Sequence, residues 1–208
     1  MAPSTDRIIC LGDSITAGKS VAENRRWTSL LQSLLDDLAE GRWEVYTRGM
    51  PGETVVQGLQ RFEKDVAPLL PGHVLIEFGL NDCSRLPDRH IARTGLVEFT
   101  THLEEIVRLV CRHGGRPVLL TNHPVDPEKR EESSGERVGE NLAPYQEAIR
   151  SVAANRATGL VDVEKGVSES WESQCLAADG IHLSPRGHRL YAEVVFRGLL
   201  PILEGSIP

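Results

Sequence analysis

Short apolar runs alternate along this chain with stretches whose apolar residues recur every three or four positions. Candidate strands fall at 7–11, 43–47, 73–78, 116–121 and 159–163. Between them the pattern takes the period of a helix. Trp27, Leu30, Leu31, Leu34, Leu35 and Leu38 mark the first helix. Val55, Leu59, Phe62 and Val66 mark a second, which must end before Pro68. Leu96, Phe99, Leu103, Ile106, Val107 and Val110 mark a third, closed by Gly114-Gly115. Leu142, Tyr145, Ile149 and Val152 mark a fourth. The last opens with Ser184 as N-cap and Pro185 in the first helical position, then continues through Leu190, Tyr191, Val194 and Val195.

Strand–helix alternation of this kind builds a parallel sheet covered by helices on both faces. The expected architecture is α/β: a three-layer α/β/α sandwich on a flavodoxin-like five-stranded parallel sheet. Such sheets bind ligands beyond the carboxyl ends of their strands. Ser14 follows strand one, Gly52 strand two, Asn81 strand three and Asn122-His123 strand four; Asp179 and His182 follow strand five. Every candidate group therefore falls on one edge. The polar segment 126–141 lies on that edge too, and reads as a solvated insertion or a lid.

The 208 residues fit one domain, 1–208, with 40% hydrophobic and 25% charged residues. A formal net charge of −7 without a basic stripe speaks against a nucleic-acid partner. No apolar stretch reaches the roughly 20 residues that span a bilayer, so no membrane insertion is expected. The first six residues leave no room for a signal peptide, and a cytoplasmic protein is the default expectation. Cys10, Cys83, Cys111 and Cys175 lack zinc-type spacing, so neither metal nor cofactor is implied. Cys10 and Cys111 read as small core residues. Cys83 and Cys175 read as free thiols near the active edge, with a bridge between them as the alternative.

Three residues carry acyl-transfer chemistry. Ser14 sits at a strand–helix turn, where it can be a nucleophile or a helix N-cap. His182 has a pKa range suited to a general base, and Asp179 stands three positions before it to fix the imidazole tautomer. His73, His90, His102, His113, His123 and His188 are rivals with structural or surface readings; His123 is the serious one, being on the active edge. Gly180 allows a tight turn between Asp179 and His182. Asp13 reads as a brace of the Ser14 turn. Arg25, Arg26 and Trp27 read as solvated charge and core, and a role for them, Arg48 or Arg85 in binding an anionic or sugar substrate is the alternative.

Four blocks in order, Gly12-Asp13-Ser14-Ile15, Gly52, Gly79-Leu80-Asn81-Asp82 and Asp179-Gly180-Ile181-His182, make the chain resemble the SGNH branch of the GDSL esterases and lipases. The blocks span nearly the whole chain. Arg48 departs from the asparagine that relatives often carry before the second-block glycine, which bears on loop bracing. The resemblance implies an oxyanion hole from the Ser14 and Gly52 backbone N–H groups and the Asn81 side-chain amide, with Asp82 anchoring its loop. It implies a serine esterase acting on small O-acyl esters, short-chain or acetyl. A lysophospholipase, an acyl-thioesterase and a sugar deacetylase are enzymatic alternatives. A silent carbohydrate- or lipid-binding module on the same fold is a non-enzymatic one. A nucleotide-binding flavodoxin-like domain would want a phosphate loop after strand one, and none is present.

Overall fold

The computed structural model describes residues 6–86, 91–167 and 171–204. His90 lies outside them. The elements run β1 (Asp6–Gly12), α1 (Ser14–Ala17), α2 (Trp27–Leu38), β2 (Trp43–Gly49), α3 (Val55–Gln60), α4 (Phe62–Asp65), β3 (His73–Glu77) and α5 (Leu80–Cys83). There follow α6 (Leu96–Arg112), β4 (Arg116–Leu120), α7 (Val138–Arg156), β5 (Gly159–Val161), α8 (Val163–Val167) and α9 (Pro185–Glu204). The sheet is wholly parallel, in the order β2-β1-β3-β4-β5. Helices α2, α8 and α9 pack on one face, and α3, α6 and α7 on the other. Burial on both faces explains why the central strands read as unbroken apolar runs: Ile8–Leu11 in β1, Val74–Ile76 in β3 and Val118–Leu120 in β4 are all buried.

The register sets the site. Gly12, the last residue of β1, pairs with Gly49 on one side and Glu77 on the other. Three strands therefore end level, and the sheet order reverses between β1 and β3. That is the switch point at which ligands bind in open α/β sheets.

Several elements depart from the sequence reading. Strand five stops at Val161 instead of 163, because Asp162 accepts the Lys165 backbone N–H (3.3 Å) and starts α8 as an N-cap. The second helix divides at Arg61 (φ −98°, ψ 3°) into α3 and α4. This frees the Arg61 guanidinium to bind the carbonyls of Gly12 (3.1 Å) and Arg48 (2.8 Å). Cys111 is exposed rather than core: it falls off the buried stripe Phe99, Leu103, Ile106, Val107 and Val110 of α6. Cys10, Cys83 and Cys175 are buried, and all four thiols are free. Of segment 126–141, the last four residues are the first turn of α7. The remainder closes on itself through an Arg130–Arg137 bridge and is tied to Arg85, whose Nε reaches Glu136 at 2.6 Å and whose Nη2 reaches Asn141 at 3.0 Å.

Candidate active site

The turn after β1 is held by Asp13. Its Oδ1 accepts the Ile15 backbone N–H at 2.9 Å, so the capping role open to Ser14 belongs to Asp13 and the serine hydroxyl is left free of it. The one-turn helix α1 then sits against the strand ends with no room to spare. A β-carbon on Gly12 would lie 2.7 Å from the Glu77 carbonyl oxygen. A β-carbon on Gly49 would lie 2.2 Å from the Ala17 nitrogen. The Trp27 indole N–H donates to the Ile15 carbonyl at 2.9 Å from the α2 side.

His182 comes to this turn from 168 residues away: its Nε2 lies 2.9 Å from Ser14 Oγ. Its Nδ1 lies 2.7 Å from Asp179 Oδ2, while Asp179 Oδ1 accepts the backbone N–H groups of Ile181 and His182, both at 2.9 Å. Since Asp179 can only accept at this pair, Nδ1 carries the ring proton and Nε2 presents its lone pair to the serine hydroxyl. Slight burial works to raise the Asp179 pKa. The hydrogen bonds from the His182 ring and from the two backbone N–H groups outweigh it and hold the carboxyl at about 2. Both side chains are open to solvent, at 37% for His182 and 45% for Asp179.

The Asp179–His182 turn is braced from beneath. Gly180 turns it with φ +73°. The Asp126 backbone N–H donates to the Gly180 carbonyl (2.9 Å), and the Ala177 N–H to the His182 carbonyl (2.7 Å). His123 donates Nε2–H to the Ile181 carbonyl at 2.7 Å and packs its ring on Trp171 and Tyr191. Burial pushes its pKa down to about 4. The rival histidine thus supports the turn that carries His182. His188, also buried and held at about 4, accepts the Trp27 backbone N–H on Nδ1 (3.2 Å).

Gly52 and Asn81 close the opposite side. Gly52 has φ +79°, and its missing side chain faces open space, where another molecule can approach the backbone. The N–H groups of Ser14 and Gly52 donate to no acceptor among the described residues. Asn81 Nδ2 donates to Asp13 Oδ2 at 2.9 Å, bridging the ends of β1 and β3. Arg93 Nη1 lies 3.4 Å from Asn81 Oδ1, and Nη2 donates to the Gly52 carbonyl at 2.9 Å. Asp82 accepts the N–H groups of Gly79 (3.1 Å) and Val55 (3.0 Å), joining the α5 turn to the start of α3. Arg48 points away, to the carbonyls of Asp65 and Thr47. Trp27 is core, and Arg25 is exposed.

Two residues at this site, Arg93 and Glu77, are not among those the sequence motifs single out. Arg93 lies between blocks, outside any periodic pattern. Glu77 is a buried carboxylate that directly follows the apolar run Val74–Ile76 and precedes Phe78, and that interruption is a legible sign. Among the described residues no group of three His, Cys, Asp or Glu side chains is placed to hold a metal ion. No helix among them is long and apolar enough to cross a membrane.

Known proteins resemble this chain in sequence and in fold. The profile of the GDSL-like Lipase/Acylhydrolase family matches residues 10–190. An isoamyl acetate-hydrolyzing esterase from Saccharomyces cerevisiae is 24% identical over 98% of this chain and 88% of its own. Esterase TesA from Pseudomonas aeruginosa is 28% identical over 94% of this chain and 89% of its own. The crystal structure of the lipase/acylhydrolase from Enterococcus faecalis superposes with a TM-score of 0.79 at 26% identity, covering 94% of this chain and 95% of that one.

Proposed function

The chain belongs to the GDSL-like lipase/acylhydrolase family, and on that footing we propose a serine esterase that hydrolyses small O-acyl esters, acetyl or short-chain. The single observation that carries this is the contact between Ser14 Oγ and His182 Nε2, at 2.9 Å, with Asp179 fixed behind the ring. His182 takes the hydroxyl proton as Ser14 attacks the carbonyl carbon. The oxygen that becomes negative is met by the N–H groups of Ser14 and Gly52 and by the free N–H of the Asn81 amide. His182 then gives its proton to the departing alcohol. A water deprotonated by His182 releases the acid and restores the serine. Asp179 keeps the proton on Nδ1 in the resting state and stabilises the imidazolium that forms. Acetate is the acyl group in the name of the yeast relative, and this supports the short-chain reading.

Hydrolysis of p-nitrophenyl acetate by the wild type and by Ser14→Ala tests the proposal. A serine-directed fluorophosphonate should label Ser14 once, and His182→Ala should abolish that labelling. Activity that survives Ser14→Ala unchanged, or labelling at a different serine, would reject it. A series from acetate to palmitate esters separates a short-acyl esterase from a lysophospholipase-like one by where kcat/KM peaks.

A further inference from the structure

The three N–H groups that the esterase reading offers to an oxyanion follow three different strands: Ser14 after β1, Gly52 after β2 and Asn81 after β3. Pairing of β1 with each neighbour sets two of the three spacings. Strands β2 and β3 lie on opposite sides of β1, so the spacing between Gly52 and Asn81 has to be held by side chains. Asp82 does part of this through the Val55 N–H (3.0 Å), three residues beyond Gly52. At Gly52 itself the tie is Arg93. Its Nη2 donates to the Gly52 carbonyl at 2.9 Å and its Nη1 to Asn81 Oδ1 at 3.4 Å.

The main chain aims this fork. The Arg93 backbone N–H donates to the Ser84 carbonyl (2.8 Å) and the Thr94 N–H to the Asp82 carbonyl (3.1 Å), so Arg93 rides on the turn that carries Asn81. The Thr94 carbonyl accepts the Tyr145 hydroxyl at 2.6 Å, which ties the same stretch to α7. The side chain then reaches across to the Met50–Glu53 turn, itself closed by a 3.3 Å bond from the Glu53 N–H to the Met50 carbonyl. A guanidinium is a planar fork of donors with no acceptor. The amide oxygen of Asn81 must therefore face Arg93, which leaves Nδ2 for Asp13 and for the oxyanion. A flipped amide would set N–H against N–H at Arg93 and offer the oxyanion a carbonyl.

We propose that Arg93 is a positioning residue: its two-pronged contact sets the spacing between Gly52 and Asn81 and fixes which end of the Asn81 amide meets the oxyanion. The proposal rests on the esterase reading above. Arg93 is exposed and acts through the two donors without touching the reacting atoms. Its removal should therefore cost less than the 10²–10³ of losing a donor outright. Arg93→Ala should lower kcat on p-nitrophenyl acetate by roughly 10- to 10²-fold, with KM changed by less than about threefold. The pH profile of kcat/KM should keep its midpoint, because Asp179 and His182 are untouched. Arg93→Lys should fall close to Arg93→Ala, since one ammonium cannot replace a planar fork on two oxygens. In an Asn81→Ala background, where one prong has nothing to hold, Arg93→Ala should cost less than in the wild type.

A raised KM at unchanged kcat would overturn the proposal and make Arg93 a substrate contact. Wild-type turnover in Arg93→Lys would overturn it too, because charge alone would then suffice. So would a shifted pH midpoint, or equal losses from Arg93→Ala in the two backgrounds. These outcomes leave the esterase reading standing. That reading falls instead if Ser14→Ala stays active, and the oxyanion role of Asn81 falls if Asn81→Ala keeps its kcat.

Discussion

Exchanging His188 for asparagine removes an imidazole that must stay neutral, while leaving an acceptor where Nδ1 meets the Trp27 backbone N–H. Burial first, then the neighbouring His123, Arg26 and His182, hold the His188 pKa at about 4 against an ordinary 6.5. Between those values the unfolded chain binds a proton that the folded protein refuses. The contribution to stability is therefore complete above pH 6.5 and is lost as pH falls toward 4. For a single group with these two pKa values, the loss between pH 8 and pH 5 is about 2 kcal/mol. Asp13 and Asp82, raised by burial to about 7 and about 6, work in the opposite direction. The folded state holds their protons more tightly, so they add stability as pH falls. Their contributions are common to both proteins and drop out of the difference. Urea unfolding followed by tryptophan fluorescence at the two pH values gives the comparison. On acidification the wild type should lose about 2 kcal/mol relative to His188→Asn, whatever the offset between them at pH 8. Parallel pH profiles would refute the reasoning and show that the folded protein accepts the charge.

Gly49→Ala puts a β-carbon 2.2 Å from the Ala17 nitrogen and 2.6 Å from the Thr16 carbonyl carbon, both main chain, in the helix that carries Ser14. It should cost about 1–3 kcal/mol in a thermal melt and lower kcat; a stable and fully active variant would show that α1 has room to move. Trp27→Phe leaves the Ile15 carbonyl without its indole donor and should destabilise by about 1–3 kcal/mol in urea titration, while a neutral result would mean that the carbonyl finds another partner. Asp179→Asn removes the charged acceptor at His182 Nδ1 and should lower kcat by roughly 10² to 10⁴, less than Ser14→Ala does; an undiminished kcat would show that the backbone alone orients the ring.

The sheet was legible because its central strands are buried on both faces, which writes Ile8–Leu11 and Val118–Leu120 as plain apolar runs. Ser14, Asp179 and His182 were legible together because the residues after successive parallel strands must meet at one edge. What escaped notice was short or long-range. The one-turn helices α1, α5 and α8 are shorter than any window in which a period shows. The apolar pattern carries strand five to Val163, whereas Asp162 already caps a helix and ends the strand at Val161. The break at Arg61 answers to carbonyls brought near by folding, at Gly12 and Arg48. His123 is the serious rival to His182 in the sequence because it falls on the same edge. Only the fold shows its N–H committed to Ile181.

The long separation between the hydroxyl and the imidazole has a temporal side. Synthesis makes β1 and its serine long before the Asp179–His182 turn, which leads into α9, packed beside α2. On the proposed esterase reading, the nascent chain therefore carries Ser14 without its base until that turn has been made. Onset of turnover in a refolding or translation experiment would be a chemical clock for the arrival of α9.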